Sequence, residues 1–154
     1  MNMYTENNII IKGSAKRVFE LASDVLMWPV HLPHYRWVKL IKEDGGSKVV
    51  EMAAHRDGIP VKWTSILESI PHESKIVFRH IKGPTKGMYV EWNIHENGEG
   101  WVDVQITHEF RHPLPVIGPF IAKYIIGRFF VHNIAGKTLR RIKQIVETEA
   151  VAYD

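Results

Sequence analysis

The chain has 154 residues, no cysteine, five Trp and nine His, and 20 Lys+Arg stand against 17 Asp+Glu. That length suits one domain, here taken as residues 1–154, and 45% hydrophobic with 24% charged residues excludes a disordered or fibrous chain. Without cysteine there is no disulfide framework, thiolate nucleophile or Cys-ligated metal, which suits a reducing cytoplasm.

Acids and bases alternate along the chain and leave a net charge of only +3. The one concentrated basic run, Lys137-Thr-Leu-Arg140-Arg141-Ile-Lys143, reads at helical spacing as a solvated helix face. No arginine-rich arm or zinc-finger spacing accompanies it, so no nucleic-acid partner is expected. The polar start, Met1 to Glu6, shows no signal peptide, and the expected location is the cytoplasm. Leu114 to Phe130 is the most apolar stretch, but Pro115, Gly118, Pro119, Lys123, Gly127 and Arg128 interrupt it too often for a membrane span.

In chain order, Thr5 to Lys12 reads as a strand around the run Ile9-Ile10-Ile11. Gly13-Ser14 breaks it, and Ser14 is a good N-cap for a helix whose apolar face is Val18, Phe19, Ala22 and Val25. Pro29 and Pro33 bound a short irregular piece. Six β-compatible segments follow: 35–42, 48–56, 61–70, 75–82, 88–95 and 100–112. Asp57-Gly58 and Asn97-Gly98 between them are hairpin signals, and short connections imply antiparallel pairing. After Pro119 one long helix is expected, with a stripe through Ile121, Ile125, Phe129, His132, Gly136, Leu139, Ile142 and Val146. Strand, helix, six strands and a long helix make an α+β fold, a curved antiparallel sheet of about seven strands around the final helix.

Alternation along the strands assigns the interior face. It places Val102, Val104, Ile106, His108 and Phe110 inside on the last strand, and Val61, Trp63, Ser65 and Leu67 inside on the fourth. Met88, Val90, Trp92 and Ile94 do the same on the sixth. His132, on the helix stripe, is expected to face His108 across the interior. A buried imidazole serves as acid, base or hydrogen-bond donor near neutral pH, or simply bonds a neighbouring core group. Trp28, Trp63 and Trp92 are candidate ligand walls, with Tyr35 and Arg56 as polar candidates at strand ends. His31-x-x-His34 lies in a proline-punctuated loop without an acidic partner, and His108 and His112 stand roughly 13 Å apart along an extended strand. No metal site is therefore expected, and no motif calls for a cofactor.

These residues resemble the START-like superfamily, whose helix-grip fold encloses a cavity between a curved sheet and the C-terminal helix. Within it the chain is most similar to the polyketide cyclase/dehydrase family, including bacterial aromatase/cyclases. Asp24-Val25-x-x-Trp28-Pro29 with Tyr35, Trp63, Gly83-Pro84 before Trp92, and Arg141-Ile142-Lys143 carry the likeness. It implies a hydrophobic, aromatic or isoprenoid-like ligand, and either cyclisation of a poly-β-ketone or non-enzymatic carriage of a lipid or quinone at a membrane. Under the first alternative His108, His132 and Tyr35 transfer protons, while Trp28, Trp63, Ser65, Leu67, Trp92 and Arg56 shape the cavity. Where those aromatase/cyclases place an arginine a few residues after the fourth-strand Trp, this sequence has Leu67. Phe120, Tyr124, Ile126 and Phe130 make residues 116–130 apolar nearly all round, a contact for the chain's own core, a second copy in a homodimer, or a membrane surface.

Overall fold

The computed structural model describes residues 3–56, 58–110 and 130–152. Strand β1 (Met3–Lys12) leads into helix α1 (Ala15–Ser23), a 3₁₀ turn at Val25–Met27 and the single-turn helix α2 (Trp28–His31). Six strands follow: β2 (Tyr35–Asp44), β3 (Ser47–Arg56), β4 (Ile59–Ile70), β5 (Lys75–Lys82), β6 (Met88–Glu96) and β7 (Trp101–Phe110). Helix α3 (Phe130–Ala152) closes the described chain. The expected 116–130 patch lies almost wholly outside the described residues, as do the stripe positions Ile121, Ile125 and Phe129. Among the described residues no helix is long and apolar enough to cross a membrane.

All seven strands form one antiparallel sheet in the order β1-β7-β6-β5-β4-β3-β2. Strands β2 to β7 run as a meander, and β1 pairs with the last of them. Asp44 and Ser47 close a two-residue hairpin with Gly45 at φ 60°, a left-handed position that glycine adopts without a Cβ penalty. The Asn97-Gly98 signal marks a longer connection, in which the Asn97 N–H donates to the Trp101 carbonyl at 3.1 Å. Register shifts at Tyr35/Trp37 and Leu40/Lys42 in β2, and at Thr64/Ser65 between β4 and β5, bend the sheet.

Ser14 caps α1 as expected, its Oγ accepting the Arg17 N–H at 3.1 Å. The helix stops at Ser23, earlier than the sequence spacing indicated, and Val25 is buried from the next turn instead. Trp28 then folds back on α1, its indole N–H donating to the Leu21 carbonyl at 3.0 Å. Pro29 suits the start of α2, where a missing N–H costs nothing.

Alternation proves reliable for the sheet. Val61, Trp63, Ser65 and Leu67 on β4 and Met88, Val90, Trp92 and Ile94 on β6 are all buried on one face. Helix α3 lies against β1, α1 and β7. Its buried face is Ile134, Ala135, Thr138, Leu139, Ile142 and Val146. His132 does not face the interior; it is exposed, and Gly136 is half-buried. Periodicity gave His132 the azimuth of Ala135 and Leu139, but it does not say how far along its length a helix is covered.

Candidate functional site

The inward faces of sheet and helix leave a cavity of about 70 Å³. Its sheet wall is Met52, Val61, Trp63, Phe78, His80, Met88, Val90, Trp92, Ile106 and His108; Tyr35 and Trp28 stand at one side, and α3 contributes Ile134, Ala135 and Thr138. The aromatic rings touch in sequence. Trp28 meets Tyr35 edge-on at 4.9 Å and approaches Phe78 and Trp92 at 5.8 and 6.1 Å. Tyr35 meets Trp63 at 6.1 Å, and Trp63 stacks on the His80 ring at 5.7 Å with planes only 7° apart. Such contacts add to area burial and fix ring orientation.

The loop after β5 supports this stack. Gly83 has φ 103°, and a Cβ there would lie 2.7 Å from the Lys62 carbonyl oxygen and 3.0 Å from Trp63 Cα. Only glycine lets this backbone pass so close behind Trp63. The loop then returns Thr85 to the cavity, where its Oγ1 lies 2.6 Å from His80 Nδ1. Burial pushes the His80 pKa down to about 3, with the His108 charge adding to the effect.

A second polar cluster links helix and sheet. The Thr138 hydroxyl donates to the Ile134 carbonyl at 2.8 Å, so its one proton is used. His34 Nε2, 2.9 Å from the same oxygen, must therefore carry a hydrogen and donate it. The adjacent Tyr35 hydroxyl also interacts with Thr138, and burial raises its pKa well above the ordinary tyrosine value. His34 is held neutral, its pKa lowered to about 4 by burial first and then by the charges of Lys137 and His55.

Two polar atoms on the cavity wall have no such partner. Trp63 Nε1 and His108 Nδ1 are enclosed and make no hydrogen bond among the described residues. Burial, followed by the nearby His132 charge, pushes the His108 pKa down to about 3, so its imidazole is neutral at pH 7. An orphaned buried polar group costs about 1–3 kcal/mol of desolvation, and a bound oxygen would relieve it at the Trp63 N–H, and at His108 in the tautomer with its hydrogen on Nδ1.

Of the residues selected from sequence, Trp28, Tyr35, Trp63, Trp92 and His108 come together around this cavity. Ser65 and Leu67 share the inward face of β4 but do not line it, and Ser65 Oγ is buried without a partner. His132 is exposed, so it does not oppose His108 across the interior. Arg56 ends β3, and its side chain lies outside the described residues. Sequence reasoning missed His80, Thr85, Thr138 and the role of His34. Alternation applied to β5, where Ile76, Phe78 and His80 share parity, finds His80; the others are brought in by the turn and by tertiary packing.

A seven-stranded antiparallel sheet gripping a C-terminal helix around an aromatic cavity is the helix-grip architecture of START-like proteins. Known structures agree. The Zhui aromatase/cyclase from Streptomyces sp. R1128 superposes with a TM-score of 0.85 at 21% identity, covering 97% of this chain and 96% of that one. A START superfamily protein from Mycobacterium smegmatis gives 0.73 at 17%, covering 94% and 97%. A curated putative polyketide cyclase from Streptomyces halstedii is 23% identical over 100 residues, 63% of this chain and 92% of that protein. Residues 11–125 match the family model described as polyketide cyclase/dehydrase and lipid transport, and the chain belongs to that family.

Proposed function

We propose that the cavity binds a flat, hydrophobic, oxygen-bearing molecule of polyketide type, and that the protein promotes its cyclisation and aromatisation. The observation that carries this reading is the pair of orphaned polar atoms, Trp63 Nε1 and His108 Nδ1, on a largely apolar, aromatic-rich wall. Apolar pockets with a few placed polar groups are the usual design for such ligands. Membership of the polyketide cyclase/dehydrase family supports the same reading.

With a pKa of about 3, His108 is a poor base at pH 7 and serves instead as a neutral donor. In an intramolecular aldol step, solvent water or hydroxide takes a proton from the acidic methylene carbon between two carbonyls, and that carbon bonds to a ketone carbon further along the chain. The ketone's π pair moves onto its oxygen, where an N–H from Trp63 or His108 stabilises the growing charge until it is protonated. That hydroxyl then leaves as water with the remaining hydrogen of the former methylene carbon, and the ring double bond forms between the two carbons. Orientation of the folded chain supplies up to about 7–11 kcal/mol in good cases.

At about 70 Å³ the cavity is smaller than the roughly 150 Å³ that admits benzene in an engineered apolar cavity, so on this reading the walls yield as the ligand enters. Met52 and Met88, flexible and unbranched, are the wall residues best suited to do so. The test is titration with 1,8-dihydroxyanthraquinone, followed by tryptophan fluorescence. Saturable one-to-one binding is expected, weakened about tenfold by Trp63→Phe, which keeps the ring and removes the N–H. Absence of saturable binding refutes the reading. Binding without any change in the products formed from a poly-β-ketone thioester removes the catalytic half and leaves a carrier.

A further inference from the structure

A second concavity, about 390 Å³, shares His34 with the polar cluster beside the cavity and is otherwise lined by His55, Lys137, Arg140, Arg141 and Gln144 among its polar residues. It absorbs most of the basic run that the sequence presented as a solvated helix face. Lys137, Arg140 and Arg141 stand at i, i+3 and i+4 on α3, on one side of the helix, where like charges repel. Among the described residues no carboxylate lines the pocket, and none of these three cations has an ion-pair partner. Two other bases of the helices are matched: Arg17 of α1 pairs with Glu149 and Lys143 of α3 with Glu147, each at 2.8 Å.

The pocket is also partly organised. Arg141 donates from Nε to the His31 carbonyl at 3.0 Å and from Nη1 to Gln144 Oε1 at 3.2 Å, which holds its guanidinium plane. Arg140 Nη1 lies over Gly136, where there is no side chain to push it aside. The field of Lys137 and Arg140 reaches the buried His34 and helps keep it neutral.

We propose that this basic pocket binds the phosphate group of a phosphate ester. Three permanent cations and the His55 imidazole, approaching from α3 and from the β2–β3 side, offer more positive charge than one carboxylate would match. A phosphate ester brings up to two charges and several acceptor oxygens, and it accepts bidentate contacts from arginine. The bound group would lie one imidazole from the cavity, since Thr138, the partner of His34, lines the cavity wall.

The experiment uses inorganic phosphate and needs no cavity ligand, so its failure is separate from failure of the proposed function. Histidine and arginine NMR shifts are followed during titration at constant ionic strength, with chloride as the control anion. Saturable one-to-one phosphate binding is expected, and the double variant Lys137→Ala/Arg140→Ala should weaken it about tenfold or more. Both residues are exposed, so the fold tolerates their loss. Gln144→Glu, which places a negative charge in the pocket, should weaken it as well. Sedimentation with phosphatidylcholine vesicles, with and without phosphatidylglycerol, distinguishes the source. Phosphate saturation without vesicle binding supports a soluble ester; phosphate saturation with vesicle binding that the double variant abolishes supports a lipid headgroup. Vesicle association without saturable phosphate binding, or affinity that the double variant leaves within about twofold, overturns the site.

Discussion

Acid should destabilise this protein well above the range in which its carboxylates titrate, and His108 isolates the effect. In the unfolded chain its imidazole titrates near 6.5, whereas burial lowers the folded value to about 3. The unfolded state therefore binds more protons between those values, so stability is full above about pH 6.5 and is lost as pH falls toward 3. Between pH 7 and pH 5 the unfolded chain takes up about three-quarters of a proton at this position and the folded chain almost none. The linkage integral is about 1.4 pH units, or about 2 kcal/mol, an upper figure because part of the His108 residue keeps some exposure. His80 and His34, lowered to about 3 and about 4, contribute in the same direction. Together the three approach the lower end of a whole domain's stability of about 5–15 kcal/mol. Urea unfolding of the wild type and of His108→Leu at pH 7 and pH 5 measures the share of His108. The variant should lose about 2 kcal/mol less than the wild type across that interval. Parallel losses in the two proteins would refute the assignment of His108 as a buried, neutral imidazole.

Two further substitutions test the scaffold around the cavity. Gly83→Ala forces a Cβ against the Lys62 carbonyl and Trp63 at φ 103°, and should cost about 1–3 kcal/mol in thermal unfolding. Near-ultraviolet circular dichroism should change with it, and an unaltered midpoint would disprove the close approach. Thr138→Val keeps the side-chain shape but removes the oxygen that accepts from His34 and meets Tyr35, at a cost of about 1–3 kcal/mol. Thr138→Ser should restore most of it, and equal stability of the valine and wild-type proteins would dismiss the cluster as a structural tie.

The sheet was legible because strands with one buried face write a period of two into the sequence, and glycine-bearing turns punctuate it. That pattern carried His108, Trp63 and Trp92 to the cavity without any knowledge of the fold. It specifies a face and not a depth, so Ser65 and Leu67 share the face of Trp63 yet lie outside the cavity lining. The same gap between direction and coverage misplaced His132 on α3. His34 and Thr138 meet across 104 positions of chain, a contact that no local period encodes. The basic run on α3 looked like solvated charge because its concave surroundings, His34 in the turn before β2 and His55 on β3, are far away in sequence.

Trp63 shows how these pieces act together. Its indole is stacked on one face by His80, met edge-on by Tyr35 and backed by the Gly83 turn, while His80 is itself held by Thr85. A side chain fixed from three directions has little freedom to turn its N–H toward a protein acceptor, and the described residues offer it none. The orphaned donor is thus a consequence of packing, present before any ligand arrives. On the proposed reading this is preorganisation: the desolvation cost is carried by the folded protein, and a ketone oxygen meets a donor that needs no reorganisation. The neutral His108 follows the same logic, since a charged imidazole there would be solvated or paired, whereas a neutral one stays available to an incoming oxygen. Donors held in place by aromatic packing, with no strong base among the described cavity residues, favour stabilising charge on an oxygen over abstracting a proton from carbon.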